Sequence, residues 1–204
     1  MSHPRPNDTR HRLLDAATSL IWESSYGSAS VEAICQRAGV NKGSFYHFFP
    51  SKSELAVAAL DAEWEVRKPH WDACFSPLVA PLDRFHRLHA ECMEEQAKLA
   101  AETGCVVGCP LFSLGSEVGT QNEPIRRKID ELLGLHLRYL ESAIAEAHAL
   151  QHIHAPNAAA KARIVLSYVE GQMTRARIQN DLAAIREIET GVLDILGVAE
   201  PATA

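Results

Sequence analysis

The sequence contains no apolar run approaching the ~18 residues needed to cross a bilayer. Its opening, Met1-Ser2-His3-Pro4-Arg5, leads into polar sequence without the apolar stretch of an export signal. Both absences predict a chain that stays in the cytoplasm and has no membrane partner. Five cysteines, Cys35, Cys74, Cys92, Cys105 and Cys109, form an odd, irregularly spaced set, which argues against a disulfide framework and predicts free thiols. Alternating apolar and polar positions, the mark of half-buried strands, are not found. Aromatic residues are sparse at 6%. A phosphate loop, a nucleophile elbow and a zinc cluster are also lacking, so no catalytic residue and no cofactor is assigned. A thiol- or metal-dependent helical enzyme is the remote alternative.

What the sequence does hold is helical periodicity. Its 204 residues are 47% hydrophobic and 23% charged, the composition of an ordinary globular protein. Apolar positions recur at helical spacing, as in Leu13, Leu14, Ala17, Leu20 and Ile21 and again in Ile125, Ile129, Leu132, Leu133, Leu137, Leu140 and Ile144. The fold class expected is all-α, with nine helices, three short and six mostly longer. Asn7/Asp8 is a candidate cap for the first helix, which ends near Ser24–Gly27. Ser30 caps a second helix of about eight residues that stops at Gly39, and Asn41 opens a short third helix ending near Pro50. Ser51-Lys52-Ser53-Glu54 reads as a capping box that starts a long helix toward Phe75.

After a break at 77–81, helices are predicted over about 82–101, 123–149, 157–179 and 182–196. An irregular segment, 103–119, carries Pro110 as a candidate first helical residue, and the tail 199–204 is expected to fray.

The formal net charge of −6 is unevenly spread. Residues 1–60 hold six Lys/Arg against five Asp/Glu, and residues 61–204 hold fourteen against twenty-one. A near-neutral head on an acidic body is compatible with nucleic-acid contact at one end only.

The run from Ser30 to Phe49 has the grammar of a helix-turn-helix. Ala33, Ile34 and Val40 are placed to pack the two helices together, and Gly39 supplies a left-handed turn. Asn41, Lys42, Gly43 and Ser44 then stand at the N-terminal end of the second of these helices, where base edges are met in a major groove. Tyr46, His47 and Lys52 supply donors and charge suited to phosphates. Of Phe45, Phe48 and Phe49, at least two are expected in the core.

These residues, Tyr26-Gly27, Ser30-Val31-x-x-Ile34 and Ala38-Gly39-Val40-x-Lys42-Gly43-Ser44-Phe45-Tyr46-His47-x-Phe49-x-x-Lys52-x-x-Leu55, resemble the DNA-binding signature of the TetR family. Pro50 departs from it, where a polar residue is commoner. The resemblance implies a DNA-binding domain over 1–50 and a helical ligand-sensing and dimerisation domain over 51–204. Lys42, Gly43 and Ser44 would face bases, Tyr46, His47 and Lys52 would face phosphates, and Ser30 would cap the second helix near the DNA backbone. The last two helices would pair with those of a second copy, forming a homodimer on operator DNA that a small-molecule inducer releases.

In the body, Gly108-Cys109-Pro110-Leu111 resembles a segment of a TetR subgroup that includes regulators responding to electrophiles and to acrylate-like compounds, although Phe112 departs from the small residue often found there. Pro110 at a first helical position would put Cys109 at an N-cap, which favours a thiolate. The alternative function is therefore a repressor switched by modification of Cys109. Its bland counterpart is a small buried hydrophobe. Arg175 and Arg177 are candidate neighbours of that thiolate. Candidate pocket residues are Trp64, Trp71, Phe85, His89, Cys109, Phe112, Tyr139 and Tyr168. His148 and His152, at i and i+4 with His154 and Glu146 nearby, suit either a metal face or the dipole of a helix end; no metal site is assigned.

Overall fold

The computed structural model describes residues 6–198, with side chains described from Asp8 onward. Asn7 and Asp8, expected to cap the first helix, lie inside α1, which already begins at Pro6, so neither is its cap. The expected fraying of 199–204 lies outside the described residues. All regular structure among the described residues is helical. The elements are α1 (Pro6–Glu23), α2 (Val31–Ala38), α3 (Lys42–Phe48), α4 (Lys52–Cys74), α5 (Pro81–Thr103), α6 (Pro110–Val118), α7 (Glu123–Ala149), α8 (Ala158–Gln179), α9 (Ala183–Arg186) and α10 (Ile188–Leu196). No helix of the described residues is long and apolar enough to cross a membrane.

Capping explains most boundaries. Asn122 and Asn157 each accept an amide proton three residues on, from Ile125 at 3.2 Å and Ala160 at 2.9 Å, and so begin α7 and α8. Gly104, Asn180 and Gly197 end α5, α8 and α10 in the left-handed region. Two further expectations need correction. Most of the segment 103–119 is the nine-residue helix α6, begun at Pro110, whose missing amide costs a first turn nothing. The last predicted helix is split at Glu187 into α9 and α10, giving ten helical elements among the described residues. Pro69 lies inside α4, where it removes one amide from the helical ladder.

Two compact units are present. One comprises the chain up to Arg67 together with Pro110–Leu132; the other comprises Lys68–Cys109 together with the chain from Leu133 onward. Neither coincides with a cut at residue 50. The first unit buries Leu13, Ile34, Phe45, Leu55 and Ile125 completely. The second is built on Cys74, Phe85, Ala143, Ile144, Val165, Ile185 and Leu196. Each large aliphatic removed from water in this way contributes about 1.5–3 kcal/mol.

Candidate nucleic-acid interface and sensing site

In the first unit, local hydrogen bonds set the helix-turn-helix. Ser30 Oγ accepts the Ala33 amide at 3.1 Å, and Gly39 closes α2 at φ 64°. Asn41 Oδ1 accepts the Ser44 amide at 2.8 Å, so its side chain caps α3. That cap accounts for Gly43: a Cβ there would lie 3.1 Å from Asn41 Oδ1. Phe45 and Phe49 are buried and hold α3 from beneath, with Phe48 half-buried. Lys42, Gly43, Tyr46 and His47 are exposed and Ser44 is half-exposed.

Lys42 already has a partner, the carboxylate of Glu32 on α2. Their hydrogen bond holds Glu32 below the ordinary carboxylate range and Lys42 above the ordinary lysine value. Lys52 is only half-exposed. Its Nζ donates to the Tyr26 carbonyl at 2.8 Å and lies 4.0 Å from the centre of the Tyr26 ring. Burial lowers its pKa, and the charge of Glu117 partly offsets that. Glu117, on α6, was not foreseen as part of this site. It accepts the amides of Tyr26 at 2.8 Å and Gly27 at 2.7 Å. The turn between α1 and α2 is thus held by its carbonyl from α4 and by its amides from α6.

In the second unit, three of the candidate pocket aromatics come together. Trp71 stacks on His136 at 4.3 Å between ring centres and on Phe75 at 5.5 Å, and Tyr139 tilts against both Trp71 and Phe75. Phe85 meets Phe75 edge-on at 6.2 Å. The Tyr139 hydroxyl bonds to Asp72, and its pKa is pushed up to about 12 by burial and by that carboxylate. His136 and Phe75 were missed, because single aromatics at helical spacing look like any other core residue.

The other candidates lie elsewhere. His89 bonds to the Ile185 carbonyl at 3.0 Å and to Glu189 at 3.1 Å. The Tyr168 hydroxyl donates to the Glu187 carbonyl at 3.2 Å and packs where a Cβ on Gly191 would stand. Trp64 is buried and Phe112 half-buried, and both belong to the first unit. Of the predicted metal-face residues, Glu146 pairs at 2.7 Å with the buried Arg84, and His148 Nδ1 lies 3.3 Å from the Ile153 carbonyl.

Cys109 is half-buried, at the end of a tightly held loop. Gln96 bonds both the amide and the carbonyl of Gly108, at 3.0 and 3.2 Å. Asn180 takes the Val106 amide at 2.8 Å, and Arg177 donates to the Val107 carbonyl at 2.6 Å. Gly108 has φ 66°, and a Cβ there would lie 2.9 Å from the Met173 carbonyl. The Cys109 thiol bonds to Glu170, a carboxyl only 5% exposed. Arg175 pairs with Glu187. Burial pushes Glu170 up to about 7, with the thiol bond acting in the opposite direction.

Residues 13–59 match the family of bacterial regulatory proteins of tetR type, and residues 82–192 match the tetracyclin repressor-like C-terminal domain. The chain belongs to the TetR family. Its TetR-type relatives are transcriptional regulators, typically ligand-responsive repressors, and are not enzymes. The transcriptional regulator AcuR of Cereibacter sphaeroides is 28% identical over 179 residues, 82% of this chain and 75% of that protein. The regulator LmrA of Bacillus subtilis is 24% identical over 195 residues, 93% and 97% of the two chains. A regulatory protein TetR from Rhodobacter sphaeroides superposes with a TM-score of 0.80 at 26% identity, covering 89% of this chain and 95% of that one. Reduced NemR of E. coli, at 20% identity and a TM-score of 0.78 over 94% of this chain and all of that one, shares the fold. TetR-family proteins bind operator DNA and generally form homodimers.

Proposed function

We propose that this TetR-family regulator is a dimeric repressor whose α3 enters the major groove of an operator and whose second unit binds the inducer. The observation that carries the DNA reading is the two-sided character of α3. Phe45 is fully buried on one side, while Lys42, Gly43, Ser44, Tyr46 and His47 form a small, polar, accessible surface on the other. Lys42, Gly43 and Ser44 read bases, with Asn41 capping the helix end they stand on. Tyr46 and His47 meet phosphates, as does Lys52, and Ser30 presents the start of α2 to the backbone. DNA reading belongs to residues 1–50, joined by Lys52 at the start of α4, and sensing with dimerisation to 51–204.

Of the apolar residues on the last two predicted helices, Val165, Met173, Ile185, Ile188, Val192 and Leu196 are buried within the single chain. What α8 leaves uncovered is Ile164, 53% exposed, and Ile178, 79% exposed, with Gly171 midway at heptad spacing and open space where its Cβ would stand. A small residue between two exposed isoleucines lets a partner helix approach closely, and two copies related by a two-fold axis present two α3 helices to adjacent half-sites.

A gel shift with the DNA upstream of the chain's own gene, in parallel with sedimentation at micromolar concentration, tests the proposal. A retarded complex and a dimer are expected, and Ile178→Glu shifts the protein toward monomer and weakens the complex. A wild-type monomer, or no retention at low salt, overturns it.

The half-exposed Cys109 supports a second reading, release of DNA on thiol modification. Maleimide labelling followed by mass spectrometry and gel shift separates the two readings. Loss of DNA binding in step with Cys109 modification, abolished in Cys109→Ser, favours the thiol switch. Full labelling with DNA affinity retained removes it.

A further inference from the structure

Glu170 sits on the buried stripe of α8, four residues after Leu166 and three before Met173. One of its carboxyl oxygens, Oε2, is buried and has no hydrogen-bond partner, while the Cys109 thiol bonds to the carboxyl group. Buried polar atoms in folded proteins are nearly always hydrogen-bonded, so a buried carboxyl oxygen without a partner marks a place that a ligand group can fill. The polar side chains about the neighbouring loop are committed to it: Gln96 to Gly108, Asn180 to Val106 and Gly104, Arg177 to Val107. Leu166 and Met173, one turn before and one turn after Glu170 on α8, belong to the apolar core of this unit, and Cys92 Sγ lies 3.6 Å from Met173 Sδ. Because Cys109 is half-exposed, the carboxyl lies one side chain below the surface.

We propose that Glu170 is the polar anchor of a ligand site in the second unit, and that the site takes a small apolar molecule carrying a protonated amine. The proposal rests on the reading of that unit as the sensing body and names the chemistry of its ligand. An anionic ligand could pair with this carboxyl only while the carboxyl keeps its proton, and would meet a like charge once that proton is lost. A neutral hydroxyl would satisfy the oxygen without favouring ionisation. An ammonium group satisfies it and stabilises the carboxylate, through a charge-assisted hydrogen bond about twice as strong as a neutral one. Above the carboxyl pKa the same argument sets a carboxylate ligand of the acrylate kind below an amine.

Amine binding draws a proton off Glu170, whose pKa burial has pushed up to about 7. Of the groups on neighbouring elements, Cys109 faces the carboxyl from the loop. Arg177 and Arg175 on α8 are turned to Val107 and Glu187, His89 on α5 to Glu189 on α10, and Cys92 on α5 to Met173. Affinity for an amine that stays protonated should therefore rise about tenfold from pH 6 to pH 8, approaching a plateau above the carboxyl pKa.

The test is titration calorimetry on the full chain without DNA, using benzylamine, benzyl alcohol and benzoate. At pH 8 benzylamine is expected to bind at least tenfold more tightly than benzyl alcohol, with benzoate silent. At pH 6, paired buffers of different ionisation heat should show close to one proton released per amine bound. Glu170→Gln should abolish the preference for amine over alcohol, and Cys109→Ala should preserve it. Equal binding of the three probes, no binding of the amine, or an unchanged preference in Glu170→Gln overturns the proposal. Should Glu170→Gln fail to fold, a wild-type amine affinity that does not change between pH 6 and 8 overturns it. Since no DNA is present, a chain that binds amine yet never shifts operator contradicts the repressor reading alone.

Discussion

Glu117 accepts the amide of Tyr26 at 2.8 Å and that of Gly27 at 2.7 Å, so a single carboxylate on α6 holds the turn that leads into the helix-turn-helix. Hydrogen bonds to a charged group contribute more than neutral ones, but this turn is solvent-exposed, which reduces their worth to about 1 kcal/mol. Glu117→Ala should lower the melting temperature by a few degrees and weaken operator binding several-fold, whereas Glu117→Gln, which keeps one acceptor oxygen, should lie between. Thermal unfolding and gel shifts on the three proteins check the ordering.

Lys42 is paired with Glu32, so the DNA contact proposed for it requires that pair to open. Glu32→Gln should strengthen binding, because it frees the ammonium group and removes a negative charge beside the phosphates. Lys42→Ala should weaken it and lower the log–log salt slope by about one if the contact is to a phosphate. A base contact would instead relax selectivity at one operator position. Fluorescence anisotropy across a salt series distinguishes these outcomes.

Gly108 and Gly104 both have positive φ, but their surroundings differ. An alanine at 104 meets nothing within 4 Å and should cost about 1 kcal/mol of backbone strain. An alanine at 108 adds a clash with the Met173 backbone and should cost ~2–4 kcal/mol, the upper range for strain with overpacking. Denaturant unfolding of Gly104→Ala and Gly108→Ala should separate them clearly.

The raised pKa of Glu170 makes stability depend on pH. The folded chain holds this proton up to about 7, and the unfolded chain releases it near 4.5, the ordinary glutamate value. Stability is therefore highest below about 4.5 as far as this group is concerned, falls as pH rises between the two values, and is lower by about 3 kcal/mol above them. Glu170→Gln should accordingly be more stable than wild type at pH 8, with most of that advantage gone at pH 5. Unfolding curves at both pH values measure the difference.

Much of this was legible because caps and turns are local chemistry. Ser30, Gly39 and Asn41 mark their boundaries with their own side chains or backbone preference, and Phe45 and Phe49 fall on one face of α3 by spacing alone. The break at Glu187 was hidden because the aliphatic pattern runs through it without glycine or proline. Glu170 was hidden for a related reason. A carboxylate among apolar residues on a helix usually projects into water, and only tertiary packing shows that this one does not. The Glu117 clamp joins residues ninety positions apart, with no local signature at either end. The two arginines stand on α8 as expected, where Arg177 donates to the Val107 carbonyl and Arg175 pairs with Glu187.

The way the two compact units alternate along the chain bears on how the protein is made. The first takes residues from both sides of the segment Lys68–Cys109, so its last pieces, α6 and the start of α7, leave the ribosome after most of α5. During synthesis, α1 and the turn after it wait for partners in α6, among them Glu117, encoded more than eighty residues later. A fragment ending at residue 67 would lack those partners permanently, so secreting, tagging or grafting the helix-turn-helix as a free-standing module should yield an aggregation-prone product. Chimeras with other sensing bodies should keep α6 and the beginning of α7 with the head they belong to.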